Sequence, residues 1–374
     1  MTNNKKRFEY IDSMRAIAAL LVVWLHTSEE FVKMAQPSIQ DGLYSVAHFF
    51  DFGRVGVVLF FAISGFVIPS SLIGNKLDGA RSFLIKRFFR MYPLYWLSIP
   101  FGLITSWYIW DKDISTASIL WNLTMLQEAA GHPSIEGLYW TLQTEIVFYT
   151  ICLALFLAGC LRTVWVVGGL ACIFTLAFFG PLILGVVGVH VPSITIPSLA
   201  TMCLNLGVMF WGAIFRIWTE RRKSFDFATL TVFGYVAFWF AFMAYAIKTL
   251  PINDAYFKLI APYAIGVFLF GILSIVKRVS AVWLVWLGTI SYSIYLFHPV
   301  VMYTISRLVQ VSDIEWIKGW TSGSYMLLTL VLTVMLSAFT YRYIESPSIR
   351  LGGFLSRKVL SSSRSASVAA EKRV

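Results

Sequence analysis

Few side chains in this chain are equipped for chemistry, and their spacing already groups them. Arg15 and His26 stand eleven residues apart in one apolar run. Eleven steps of 100° return to within about 20° of the same helical face, about 16 Å along the axis. One face thus joins a guanidinium near a membrane interface to an imidazole that can accept a proton. Each also has a plainer reading, Arg15 snorkelling to the interface and His26 as a satisfied interfacial histidine. Glu145 closes the run Tyr139-Trp140-Thr141-Leu142-Gln143-Thr144-Glu145, about a turn and a half inside the outer interface. An intramembrane carboxylate needs a cationic or hydrogen-bonding partner, and His26, at similar depth, is the expected one. Such a pair either orients an imidazole base or is a structural ion pair. His298 also falls toward the outer half. Pro299 after it is expected to kink the helix and free backbone carbonyls.

A second group is basic. In Arg81-Ser82-Phe83-Leu84-Ile85-Lys86-Arg87-Phe88-Phe89-Arg90, apolar and basic residues alternate at helical spacing, and Arg87 and Arg90 are i,i+3 neighbours. This is either an interfacial amphipathic helix or a phosphate clamp, because paired guanidinium groups match phosphate oxygens. Arg54, within Gly53-Arg54-Val55-Gly56, is expected at the outer interface, as an anchor or as part of an acceptor site, with the glycines serving helix packing. Glu345 is expected to pair with Arg342. There is no phosphate-binding glycine loop, no Gly-x-Ser-x-Gly elbow and no metal-ligand spacing among the five histidines, so no metal is expected.

The elements that must hold these residues follow from composition. Of 374 residues, 58% are hydrophobic and 13% charged, and mean hydropathy is +0.73. A soluble protein carries about 25% charged residues, and an aromatic content of 17% excludes disorder. The expectation is an all-α polytopic membrane protein. Ten apolar runs fall near 11–28, 53–72, 92–110, 139–159, 164–184, 199–218, 227–247, 258–276, 281–303 and 324–344. With both termini in the cytoplasm, 23 of the 30 Lys and Arg residues fall on the cytoplasmic side and 7 outside, as the positive-inside rule requires. Topology therefore accounts for most of the net charge of +11 without nucleic acid as a partner. The first run is expected to stay as an anchor rather than be cleaved. The stretch 183–198, rich in Pro and Gly, reads as a loop or re-entrant piece. The four cysteines read as buried small hydrophobes. Residues 1–350 form the membrane domain, and residues 351–374 a basic, Ser-rich, disordered cytoplasmic tail.

Taken in order, these pieces resemble the acyltransferase-3 family of integral membrane acyltransferases. The resemblance rests on Ile11–His26 with Arg-x10-His, on Gly53–Phe66, on Lys86–Tyr95 with Arg-x-x-Arg followed by Tyr-Pro-Leu-Tyr, on Leu138–Tyr149, on Leu287–Pro299 and on Tyr343-Ile344-Glu345-Ser346-Pro347. It implies a stand-alone enzyme of the bacterial inner membrane that moves an acyl group, usually acetyl, from cytoplasmic acyl-CoA to a hydroxyl of a cell-surface or exported carbohydrate. By this resemblance Arg87, Arg90 and Lys86 hold the CoA phosphates and Arg15 helps place the donor. His26 is the base or a transient acyl carrier, and Glu145 orients it. His298, Arg54 and Trp140 meet the acceptor. Thr141 with Gln143 departs from the Ser-Leu-Ser/Ala-Val-Glu run of many relatives, which bears on acceptor choice. The competing reading is a secondary transporter, which also places charges and kinked helices at mid-depth but for which no internal repeat is visible.

Overall fold

Backbone amides in hydrocarbon can bond only to one another, so apolar runs of this length fold as helices. In the computed structural model each of the ten runs is helical over most of its length, and the described residues contain no strand. The structure describes residues 9–34, 41–186, 197–221, 226–249, 255–313 and 315–371. Its α-helices are α1 (Glu9–Phe31), α2 (Asp41–Phe49), α3 (Phe52–Val67), α4 (Lys76–Gly102), α5 (Thr116–Asn122), α6 (Trp140–Ala158), α7 (Val164–Val186), α8 (Pro197–Arg221), α9 (Phe227–Thr249), α10 (Ala255–Ile275), α11 (Val282–Thr289), α12 (Ser291–Val311), α13 (Glu315–Lys318), α14 (Ser322–Thr340) and α15 (Ser346–Glu371).

Among the described residues seven helical stretches are long and apolar enough to cross a membrane, or eight if the bent pair α11–α12 is one span. The expected ten included two more. One is α4, whose first half mixes Lys76, Arg81, Lys86, Arg87 and Arg90 into the run. The other is α7, which offers a shorter apolar stretch, Val164–Phe179. Lys5, Lys6, Arg7, Arg222, Lys223, Lys372 and Arg373, which carry part of the expected orientation, lie outside the described residues, as does most of 183–198.

The hub is α1, which packs on α3, α11, α12 and α14. Two glycines permit the closest approaches. A Cβ on Gly56 of α3 would sit 2.5 Å from the carbonyl oxygen of Ala18, and one on Gly288 of α11 would collide with the carbonyl of Asp12. Such contacts are how membrane helices gain packing without a hydrophobic drive between them.

Two irregularities position chemistry. Helices α11 and α12 meet at a 71° bend, centred on Ile290 between them. The kink expected at Pro299 is not the break in this span, because Pro299 lies inside continuous α12. The second irregularity is the π-turn Tyr341–Glu345 between α14 and α15. Pro347 has no N–H to offer the carbonyl of Tyr343, so the helix widens there, and Glu345 turns inward to 1% exposure.

The tail departs from expectation. It is helical as far as Glu371, and its first part docks on α4. Ser348 Oγ donates to the Phe89 carbonyl at 2.7 Å, Gly352 abuts the Phe89 side chain, and Ser356 and Ser82 hydroxyls meet at 2.7 Å. Small residues at i, i+4 and i+8 give this helix a flat face that serine enrichment concealed. The cysteines also differ. Cys152 is buried, Cys160 and Cys203 are half-buried and Cys172 is exposed on α7, all unbonded. On a helix surrounded by lipid, exposure is not hydration, so an apolar environment does not require burial in protein.

Candidate active site

Two cavities lie in series between α1, α3, α6 and α12. The smaller, about 120 Å³, is lined by Arg15, Arg87 and Arg90 with Glu145, Tyr149 and Tyr292. Its three guanidinium groups are held differently. Arg15 Nη1 donates to Asp12 Oδ1 at 2.9 Å. Arg90 pairs with Glu345, whose second oxygen accepts from Ser293 Oγ at 2.6 Å. Glu345 therefore pairs with Arg90 and not with Arg342, because the π-turn swings it into the core. Arg87 makes no ion pair among the described residues. Its guanidinium lies 5.7 Å from the ring centroids of both Phe83 and Tyr149, and its Nε is buried without a hydrogen-bond partner in the protein. An unsatisfied buried donor costs about 1–3 kcal/mol. Lys86 is exposed and does not line this cavity.

The larger cavity, about 750 Å³, includes His26, Glu29, Glu30 and Lys33 in its wall. His26, Glu29 and Glu30 are positions i, i+3 and i+4 on one face of α1, and Lys33 follows in the turn after it. Arg54 and Trp140 line it too. Arg54 Nη1 donates to the Lys258 carbonyl at 3.0 Å and lies 3.3 Å from Asp51. His48, stacked on Tyr44, reaches Glu29 at 3.6 Å. Glu136, in the loop before α6, is 1% exposed and accepts from Ser106 Oγ at 2.8 Å. Burial pushes its carboxyl up to about 7.

His26 does not meet Glu145. Its Nδ1 lies 2.9 Å from His298 Nε2, while Glu145 accepts from Ser64 Oγ at 2.9 Å among the arginines of the smaller cavity. The partners fix the tautomers. His298 Nδ1 faces the carbonyls of Tyr295 at 2.9 Å and Ile294 at 3.2 Å. Carbonyls only accept, so this nitrogen carries the proton. His298 Nε2 is then an acceptor, His26 Nδ1 must donate to it, and His26 Nε2 keeps its lone pair. Pro299 explains why the Tyr295 carbonyl is available: a proline four residues on has no N–H for it. His298 is fully buried behind His26 and off the cavity wall, so it does not contact an acceptor directly.

A family model described as an acyltransferase domain matches residues 8–342. The chain belongs to the acyltransferase-3 family. Over 370 residues it is 25% identical to nodulation protein 10 of Rhizobium leguminosarum bv. viciae, covering 91% of this chain and 93% of that relative. No solved structure gives a significant match.

In this acyltransferase-3 chain the structure brings Arg15, Arg87, Arg90 and Glu145 to one cavity and His26, Arg54 and Trp140 to the other. Lys86 joins neither, and His298 backs His26. Sequence reasoning passed over Glu29, Glu30 and His48. The first two were readable, since they continue the His26 face. Ser64, Ser293 and Tyr295 gave no signal, because hydroxyls in apolar helices commonly bond their own backbone. Among the described residues no three His, Cys, Asp or Glu side chains converge as metal ligands.

Proposed function

We propose that this protein is an integral membrane O-acyltransferase of a bacterial inner membrane. It takes an acyl group, acetyl in the simplest case, from acyl-CoA on the cytoplasmic side and transfers it to a hydroxyl of a carbohydrate on the outer side. The carrying observation is the pair of cavities in series, one walled by guanidinium groups and the next holding an imidazole with a free Nε2. About 120 Å³ is the volume of roughly four waters, so the nucleotide of the donor stays outside. Arg87 with Arg15 and Arg90 attracts its phosphates, and only the thioester end of the pantetheine arm enters.

At the outer cavity His26 Nε2 takes the proton of the acceptor hydroxyl as its oxygen bonds the acyl carbon. The C–S bond breaks, CoA leaves as a thiolate, and the His26 proton passes to it. While His26 is charged, its Nδ1–H stays on His298 Nε2, which holds the ring in register, a task an acidic residue performs in hydrolase triads. Glu145, held by Ser64, adds the one carboxylate among the described residues in the wall of the guanidinium cavity. The acceptor cavity suits a sugar, since Glu29, Glu30 and Glu136 accept from hydroxyls while Trp140 and Tyr303 present flat faces.

The test is full-length protein in detergent with radiolabelled acetyl-CoA and extracted surface polysaccharide. Wild type transfers label to glycan hydroxyls, and His26→Ala loses at least about 100-fold of that rate. Absence of transfer by wild type, together with solute uptake in proteoliposomes, would establish a transporter instead.

A further inference from the structure

The acyl carbon must travel from the guanidinium cavity to His26, which borders only the larger one. Three of the surrounding helices mark where that path closes. On α3 the smaller cavity reaches up to Val57 and the larger begins there; on α12 the changeover is at Tyr295, and on α6 it falls between Thr141 and Trp140. Val57 and Tyr295 are the two residues that border both cavities. The Tyr295 ring meets Phe60 edge to face at 5.9 Å. Its hydroxyl is also engaged. It meets the Thr141 hydroxyl at 2.8 Å, and the two share the Leu138 carbonyl as acceptor, at 3.3 Å from Tyr295 and 2.9 Å from Thr141. A buried tyrosine is thus latched across the shared wall.

We propose that Val57, Phe60 and Tyr295 form a gate that selects the acyl group by length, admitting two carbons and holding back longer chains, with the Tyr295–Thr141 hydrogen bond as its latch. This rests on the acyl-transfer reading above. A short acyl group slips past when the latch opens. Each further methylene must find room against two aromatic rings and a branched side chain, and a packed wall discriminates by about 10–200-fold per methylene. The two parts of the gate do different work. Ring and branch size set which chain passes, while the hydroxyl latch sets how often passage occurs.

The substitution His26→Cys, in a background lacking the four native cysteines, gives a readout that needs no acceptor. The introduced thiolate attacks the acyl-CoA thioester, its sulfur bonds the acyl carbon, the C–S bond to CoA breaks, and free CoA thiol departs with the proton. The acylated His26→Cys protein is counted by intact mass after incubation with acetyl-, butyryl- or hexanoyl-CoA. This variant is expected to be acetylated at least ~10-fold faster than it is hexanoylated. Adding Phe60→Ala, or separately Val57→Ala, is expected to bring the three rates within about 3-fold of one another. Adding Tyr295→Phe, which keeps the ring and removes the latch, is expected to raise all three rates together. Equal rates for all chain lengths with the gate intact, or an unchanged length preference in both alanine variants, would overturn the gate while leaving acyl transfer standing. If no acyl-CoA modifies the introduced thiol in any variant, although a small cationic thiosulfonate added from outside does, the acyl-transfer reading falls with it.

Discussion

The two cavities are built in opposite ways. The smaller one is tied together across the sequence: Arg90 of α4, Glu345 of the π-turn and Ser293 of α12 form one network, and Arg87 is boxed by rings from α4 and α6. The larger one, about six times the volume, takes His26, Glu29 and Glu30 from one face of α1 and ties each separately, to His298, His48 and Ser306, with no single network joining them among the described residues. A site for one invariant ligand gains from cross-links that fix each charge. A site for a bulky, hydroxyl-rich acceptor gains from width, and it needs only its base to be fixed. The His26–His298 contact is the one of these ties that fixes the base.

That contrast makes separable kinetic predictions. The largest effect is expected for His298→Ala, which removes the brace. The rate constant kcat should fall about 100-fold with KM for acyl-CoA changed less than about 3-fold, read from initial rates at saturating acceptor. Arg87→Ala should do the reverse. Loss of one charge-assisted contact is worth about 1.5–3 kcal/mol, so KM for acyl-CoA should rise roughly 10–100-fold while kcat holds. If Arg87→Ala lowers kcat alone, the division between the cavities is wrong. Glu136 gives a smaller, pH-dependent effect. Its carboxyl ordinarily titrates near 4.5 and is held at about 7, so the folded state favours the neutral form. The stability this group contributes is complete below about pH 4.5 and is lost as pH rises through 7. Glu136→Gln should match wild type in thermal unfolding at pH 5 and exceed it at pH 8 by about 1–3 kcal/mol. The smallest effect is expected for Lys86→Ala, with donor KM within about 2-fold of wild type, because this side chain is exposed beside the cavity rather than in it.

What was legible in the sequence was whatever one helix decides alone. Arg15 and His26 share a face because helical rise and twist are local. The basic pair on α4 reached the cavity for the same reason. Pairings across the chain were not legible. His26 and His298 are 272 residues apart, and nothing local announces their meeting. Glu345 misled because a single π-turn rotates it, and only Pro347 hinted at that. Glu145 misled through depth. Counting from Tyr139 as the membrane surface puts it beside His26, yet Ile135, Leu138 and Tyr139 are already buried. The preceding loop folds into the bundle, and the Glu145 carboxylate lines the arginine cavity, held by Ser64.

The helical stretch Ser322–Leu360 runs 39 residues through its π-turn, about 58 Å at helical rise, against a hydrocarbon core of about 30 Å. The rod is thus close to twice as long as the core is thick, and its second half is the part gripped by Ser82 and Phe89 of α4. The guanidinium groups on α4 therefore share a bracket with α15, whereas His26 and His298 are carried by α1 and α12. A rod longer than the hydrocarbon is thick thus ties the arginine-bearing helix to the far end of the chain.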